Sequence, residues 1–209
     1  MARVIGAVCR LCRADGNKLF LKGARCFGAK CAVEKRGTPP GQHTRSRSFN
    51  NSDYKVQLKE KQKARHIAGI LEKQFRLYFK KADQMKGLTG ENLLRLLEMR
   101  LDNVVFRMGF ATSRAQARQL VGHGGVSVNA KRVNIPSYIV KVGDKLVINE
   151  KYKQNVFVQQ GLKMAGEKGV PAWLSLDKDK VAGSITKMPE RSELSYPVQE
   201  QLIVELYSK

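Results

Sequence analysis

Arg100-Leu101-Asp102-Asn103-Val104-Val105-Phe106-Arg107-Met108-Gly109, then Ser113-Arg114-Ala115-Gln116-Ala117-Arg118-Gln119-Leu120-Val121, then Val126-Ser127-Val128-Asn129, is the stretch where the hydrophobic period changes. Up to Met108 the apolar residues keep helical spacing. Leu94, Leu97, Leu101, Val104, Val105 and Met108 predict one amphipathic helix of about five turns. Ser113, with Gln116 three residues on, predicts the capped start of a second, shorter helix carrying Arg114 and Arg118 one turn apart. Gly122, Gly124 and Gly125 stop it. Beyond them the period is two: Val126–Val128, Tyr138–Val140, and Lys145–Ile148 after the Val142-Gly143-Asp144 turn predict short strands. Helices followed by short strands imply an α+β fold, with helices packed on a small β-sheet.

Toward the N-terminus, Ser52 is a candidate N-cap for a helix with Tyr54 and Leu58 on one side. Lys55, Lys59, Lys61, Lys63 and Arg65 occupy the rest of it, and Gly69 ends it. Leu71, Phe75, Tyr78 and Ala82 predict a second helix, closed by Gly87. Before these, Gly37-Thr38-Pro39-Pro40-Gly41-Gln42-His43 and Thr44-Arg45-Ser46-Arg47-Ser48 read as an extended basic loop. Toward the C-terminus, Trp173–Leu176, Gly183–Thr186 and Gln201–Leu206 predict further strands. Trp173 and Phe75 are candidate core anchors.

The charge balance narrows the partner. The chain of 209 residues carries 39 Lys and Arg against 18 Asp and Glu, a net +21. A 42% hydrophobic content is that of a folded chain. So much like charge in a compact body calls for a polyanion beside it, and nucleic acid is the favoured one. Residues 1–50 hold 11 basic and 2 acidic side chains, whereas residues 151–209 hold 9 and 7, so the main contact is expected in the first half. A membrane is not expected as partner, because no stretch approaches the roughly 18 apolar residues of a spanning helix. Met1-Ala2-Arg3-Val4-Ile5-Gly6 shows no apolar leader core, so a reducing compartment is expected.

All four cysteines fall early. Cys9-Arg10-Leu11-Cys12 and Cys26-Phe27-Gly28-Ala29-Lys30-Cys31 form two close pairs separated by a short loop. Each pair can fold back to present two thiolates, which suits one structural Zn2+ held by Cys9, Cys12, Cys26 and Cys31. Free thiols, two disulfides or an iron–sulfur cluster are the alternatives. Arg10, Arg13, Arg25 and Lys30 would offset the charge of four thiolates on zinc. With Lys22 and Arg36 they are also candidates for RNA contact.

The stretch from Arg100 to Asp144 resembles the small RNA-binding domain named after ribosomal protein S-four. Pro39-Pro40-Gly41-Gln42-His43, Glu60-Lys61-Gln62-Lys63, Gln74-Phe75, Trp173-Leu174-Ser175 and Glu200-Gln201-Leu202 extend the resemblance to the bacterial-type S-four family of the small ribosomal subunit over nearly the whole chain. The four cysteines match its zinc-bearing branch. The resemblance implies a zinc-stapled basic arm (1–45), a helical first domain (46–88) on which 172–209 packs back, and the S-four-type domain (89–171). It also implies a cytoplasmic, ribosome-bound protein that contacts small-subunit rRNA at a multi-helix junction of the 5′ domain. There the family nucleates assembly and lies beside protein S-five, at an interface tied to decoding accuracy.

Carried over residue by residue, Arg45 and Arg47 are candidates for the channel through which mRNA enters. Arg114, Arg118, His123, Lys131 and Arg132 are candidates for the rRNA face. The polar run around His43 and the side chains of Tyr54, Lys55, Lys59, Lys61, Lys63 and Arg65 complete the RNA-binding candidates. Two positions depart from the family. Ala130 stands where glycine usually follows the asparagine, which leaves the hand of the turn there open, and Thr44 stands where glycine is usual. An RNA-binding regulator or repressor acting off the ribosome is the alternative function.

An enzyme is not expected. Arg100-Leu101-Asp102 resembles the tripeptide around the catalytic aspartate of pseudouridine synthases, but it falls inside the predicted helix and no catalytic domain remains elsewhere. His43, His66 and His123 are scattered without obvious carboxylate partners, and no glycine-rich phosphate loop follows a strand.

Overall fold

The computed structural model describes residues 4–41, 52–194 and 196–208. In chain order its helices are α1 (Val8–Asp15), α2 (Ala32–Lys35), α3 (Asp53–Ala68), α4 (Glu72–Asp83) and α5 (Thr89–Glu98). They continue as α6 (Leu101–Arg107), α7 (Arg114–Gly122), α8 (Glu150–Lys153), α9 (Val156–Lys168) and α10 (Glu200–Tyr207). The strands are β1 (Val126–Val128), β2 (Lys131–Arg132), β3 (Lys145–Ile148), β4 (Leu174–Asp177) and β5 (Ala182–Ile185). The chain divides into two units, Met1–Leu93 with Tyr196–Lys209, and Leu94–Ser195.

The first unit is helical. Ser52 caps α3 by accepting from the Lys55 N–H at 3.4 Å, and Gly69 closes it in the left-handed region. The covered stripe of α3 is Gln57, Lys61, Ala64, Ile67 and Ala68, so Tyr54, 59% exposed, is not on it. Helix α4 ends at Asp83, one turn short of the expected stop at Gly87. The segment 201–206 is helical, not a strand. An apolar run this short suits either element, and packing on α3 decides it. Gln57 Nε2 donates to Glu205 at 3.0 Å, and the Gln199 N–H donates to Glu60 at 3.0 Å.

The second unit builds one antiparallel sheet in the order β2-β1-β3-β5-β4. Val126, Val128, Leu146 and Ile148 turn to the covered side as period two requires. They meet Leu101, Val104, Val105, Met108, Leu120, Trp173 and Ile185 in the core. The segment expected to leave for the first domain at residue 172 does so only after Ser195, because β5 pairs with β3 and β4 with β5. Tyr138–Val140 makes only an isolated bridge, Ile139 opposite Arg100.

The predicted five-turn helix is two. Arg100 takes an extended backbone (ψ 139°), and the chain at 136–140 occupies the break. The Leu101 and Asp102 N–H groups donate to Tyr138 and Pro136 carbonyls at 2.8 and 3.1 Å, and the Val140 N–H donates to Met99 at 2.9 Å. A segment far along the sequence thus satisfies the orphan groups of both helix ends. Leucine spacing stays helical across the break because both helices bury their apolar positions. Arg100-Leu101-Asp102 therefore opens α6 instead of lying inside a helix.

Close backbone approach fixes the α6–α7 corner. Gly109 is at φ +81°, and a Cβ there would come within 2.2 Å of the Ala165 Cβ; one on Gly161 would come within 2.4 Å of the Gly109 carbonyl. Both positions need glycine.

Candidate nucleic-acid interface

A carboxylate pair organises the arginines of the second unit. Glu98, the last residue of α5, has a side chain 0% exposed. Arg107 from the end of α6 closes on it with Nη2 to Oε1 at 2.7 Å and Nε to Oε2 at 3.1 Å. Arg114, opening α7, reaches the same Oε1 at 3.4 Å, donates through Nε to Asn103 at 2.8 Å, and lies over the Phe106 ring at 4.7 Å. Asp102 is likewise covered. Arg100 grips it at 3.0 and 2.7 Å, and Arg118 Nη1 approaches at 3.5 Å. These four arginines meet two carboxylates, so the cluster keeps a net positive charge. Arg114 and Arg118 are only 13% and 15% exposed. Arg114 and Arg118, expected one turn apart on the rRNA face, are held in an ion-pair lattice that joins three helices.

Helix α7 begins as its sequence predicts, with a shift. Ser113 Oγ accepts from the Gln116 N–H at 3.4 Å, but Gln116 Oε1 reaches Thr112, accepting from its N–H at 2.9 Å and its hydroxyl at 2.6 Å. At its far end His123, Lys131 and Arg132 are exposed. Arg132 Nη2 donates to the His123 carbonyl at 3.1 Å. The β1–β2 hairpin turns through Asn129 and Ala130, both left-handed at φ 49° and 65°. The turn that Ala130 left open in the sequence is therefore left-handed, and Asn129 supplies the anchoring. Its side chain accepts from the Lys145 N–H at 2.9 Å and donates to Asp144 at 2.8 Å.

In the first unit the cations of α3 divide into two sets. Lys59 is exposed and Lys55 half-covered, whereas Lys61 and Lys63 are covered and paired with Glu72 and Glu60. Arg65 donates to Gln62 at 2.8 Å and lies 3.8 Å from Glu72. Burial works against a charge on Glu72, but Lys61, Tyr207 and Arg65 outweigh it and hold its carboxyl below the usual carboxylate range. His66, expected to lack an acidic neighbour, has Nδ1 3.5 Å from Asp15 Oδ2, where α1 packs on α3. His43, Arg45 and Arg47 lie outside the described residues.

The four cysteines form no disulfide with one another and line one hollow of about 20 Å3 with Lys18, Phe20, Lys22 and Arg25. The Lys22 N–H donates to Cys26 Sγ at 3.3 Å. Burial, then the fields of Cys26, Cys9 and Asp15, raise the Cys12 thiol against the pull of the Leu19 N–H. Among the described residues no group of three or more His, Cys, Asp or Glu side chains is arranged to hold a metal ion as it stands. The donor set fits zinc, since four cysteine sulfurs around one small hollow can ionise together around a dication. Arg10, Arg25, Lys30 and Arg36 are exposed around it, and Arg13 is tied to the Thr38 and Pro39 carbonyls at 2.9 and 3.3 Å. Among the described residues no helix is long and apolar enough to cross a membrane.

Residues 3–98 match the family model of the ribosomal protein S4/S9 N-terminal domain, and residues 99–146 match that of the S4 domain. Small ribosomal subunit protein uS4 of Citrifermentans bemidjiense, of Natranaerobius thermophilus and of Geobacter sp. (strain M21) are each 56% identical to this chain over 209 residues, the full length of both. The chain belongs to the uS4 family. The bacterial-type family expected from the scattered motifs is therefore the one found.

For a uS4 family member, the sequence reading left out Glu98, Asp102, Asn103 and Arg107, which fix the arginine lattice. The signal was present: a glutamate and an aspartate set among the regularly spaced leucines and valines of residues 94–108. A charged residue on a buried stripe announces a buried partner.

Proposed function

We propose that this chain is a structural constituent of the small ribosomal subunit, on the cytoplasmic ribosome, and that it acts by binding and ordering rRNA. The observation that carries this reading is the full-length match to uS4 proteins, which covers the cysteine arm and the C-terminal helix as well as the S4 domain. A surplus of 21 positive charges supports it, since phosphate neutralisation is the physical role such a surplus fits. Exposed Lys59, His123, Lys131 and Arg132 would meet backbone phosphates and 2′-hydroxyls. Arg107, Arg114 and Arg118, fixed by Glu98 and Asp102, would add a preformed cationic surface.

The finer reading follows the family resemblance. The chain would seat early on a multi-helix junction in the 5′ domain and nucleate assembly. Beside protein S-five it would bear on decoding accuracy, with Arg45 and Arg47 toward incoming mRNA. Cys9, Cys12, Cys26 and Cys31 would hold one Zn2+, which supplies a closed structural cross-link to an arm with few apolar side chains. Lys22 and Arg25 would then balance the thiolate charge.

Fractionation tests the function. A subunit constituent is recovered one-to-one in salt-washed small subunits. Recovery only in the wash would make the chain a free RNA-binding factor instead.

A further inference from the structure

Helix α4 has one covered side and one open side. Phe75, Tyr78 and Ala82 are its buried residues, and Phe75 and Phe79 stand against the Tyr207 ring of α10. At about 100° per residue, Lys73, Leu77, Lys80 and Lys81 fall opposite that stripe, and all four are exposed. Among the described residues, Lys73, Lys80 and Lys81 form no ion pair. Arg76 borders the row and lies 3.7 Å from Glu72, a carboxylate already engaged by Lys61 and Tyr207. Asp83, on the same border, accepts from the Thr89 hydroxyl at 3.4 Å.

Helix stability does not account for this row. Lys80 and Lys81 are in the last turn, where the helix dipole favours cations, but Lys73 is in the first turn, where it opposes them. Arg76 and Lys80, four residues apart, repel each other as well. A cationic ridge that its own helix does not need suits an external linear polyanion. Lys73 and Lys80 are two turns apart, about 10 Å along the axis, so the ridge can reach more than one phosphate. Its middle residue is Leu77, 47% exposed, which offers no π-face on which a base could stack. We infer that the outer face of α4, through Lys73, Lys80 and Lys81, is a docking ridge for the RNA phosphate backbone, indifferent to base identity. The inference rests on the reading of the chain as an rRNA-binding protein. It adds a contact on a helix other than α3, where Lys61 and Lys63 are covered and held by Glu72 and Glu60.

Two measurements on the full chain test it, with a transcript of the small-subunit rRNA 5′ domain as probe. Lys73→Gln, Lys80→Gln and Lys81→Gln, made together, should lower the slope of log affinity against log salt by about 2–3 without lowering the melting temperature. Lys151→Gln, Lys163→Gln and Lys178→Gln, made together at exposed sites of the second unit, remove the same charge and should lower the slope by less than about 1. An unaltered slope in the first variant, or an equal fall in the second, would overturn the ridge. Amine labelling of the unaltered chain needs no substitution, and it decides if the first variant melts lower. Bound transcript should shield Lys73, Lys80 and Lys81. Labelling that the transcript leaves unchanged would return the face to solvent. Shielding only in whole subunits would give it to an acidic protein, and either result overturns the ridge. If the unaltered chain does not bind the transcript even at low salt, the RNA-binding reading itself falls, an outcome distinct from loss of the ridge.

Discussion

Arg107 closes on the carboxylate of Glu98 through two bonds, 2.7 and 3.1 Å, and the side chain of Glu98 has no contact with solvent. Removing one partner of such a pair strands the other's charge inside. Glu98→Ala should destabilise the protein by about 3–5 kcal/mol, measured by denaturant midpoint at constant slope. A loss below about 1 kcal/mol would mean that the arginines relax to water and the lattice is incidental.

Arg118 and Lys131 carry the same charge but should behave differently. Arg118 is mostly covered and faces Asp102, whereas Lys131 is exposed on its strand. Arg118→Ala should cost about 2 kcal/mol of stability, and Lys131→Ala about 0.5 or less. Lys131→Ala should lower the salt slope of rRNA binding by about 1 with the fold intact. Melting curves and salt titrations on both variants separate the roles; identical profiles would refute the distinction.

Ala130 holds a left-handed backbone at φ 65° without glycine's freedom. Ala130→Gly relieves the Cβ clash at a smaller entropic cost, and should stabilise the second unit by up to about 1 kcal/mol. A lower melting temperature would show that the turn is not strained.

Glu72 joins three helices, accepting from Lys61 at 2.8 Å and from the Tyr207 hydroxyl at 3.0 Å. Its carboxyl is held below the ordinary 4.5, so its contribution is complete above that pH and is lost as pH falls through the lowered value. The melting-temperature gap between the protein and Glu72→Gln should be widest near neutrality and close progressively below pH 4.5. A gap that widens on acidification would reverse the sign.

Zinc on the cysteine arm is open to direct measurement. The purified protein should carry about one equivalent, and chelation should expose the arm to proteolysis while leaving the S4 domain intact. Iron in place of zinc, or no metal at all, removes that part of the proposal.

By itself the sequence determined the local elements whose signals lie within one turn: Ser52 and Ser113 as caps, Gly69 as a stop, and the alternation of Val126–Val128 and Lys145–Ile148. It also determined the class of partner, because net charge needs no coordinates, and the family, because scattered motifs survive without a fold. Tertiary structure alone decided the break at Arg100, the helical state of 200–207, and the pairing of Arg114 and Arg118 with Glu98 and Asp102. Each depends on a group brought from elsewhere: the chain at 136–140, helix α3, and a buried carboxylate. Periodicity records which face of a segment is covered. It does not record what covers it, and the covering partner fixes whether an apolar run bends, coils or extends, and whether a cation is free for RNA or already engaged.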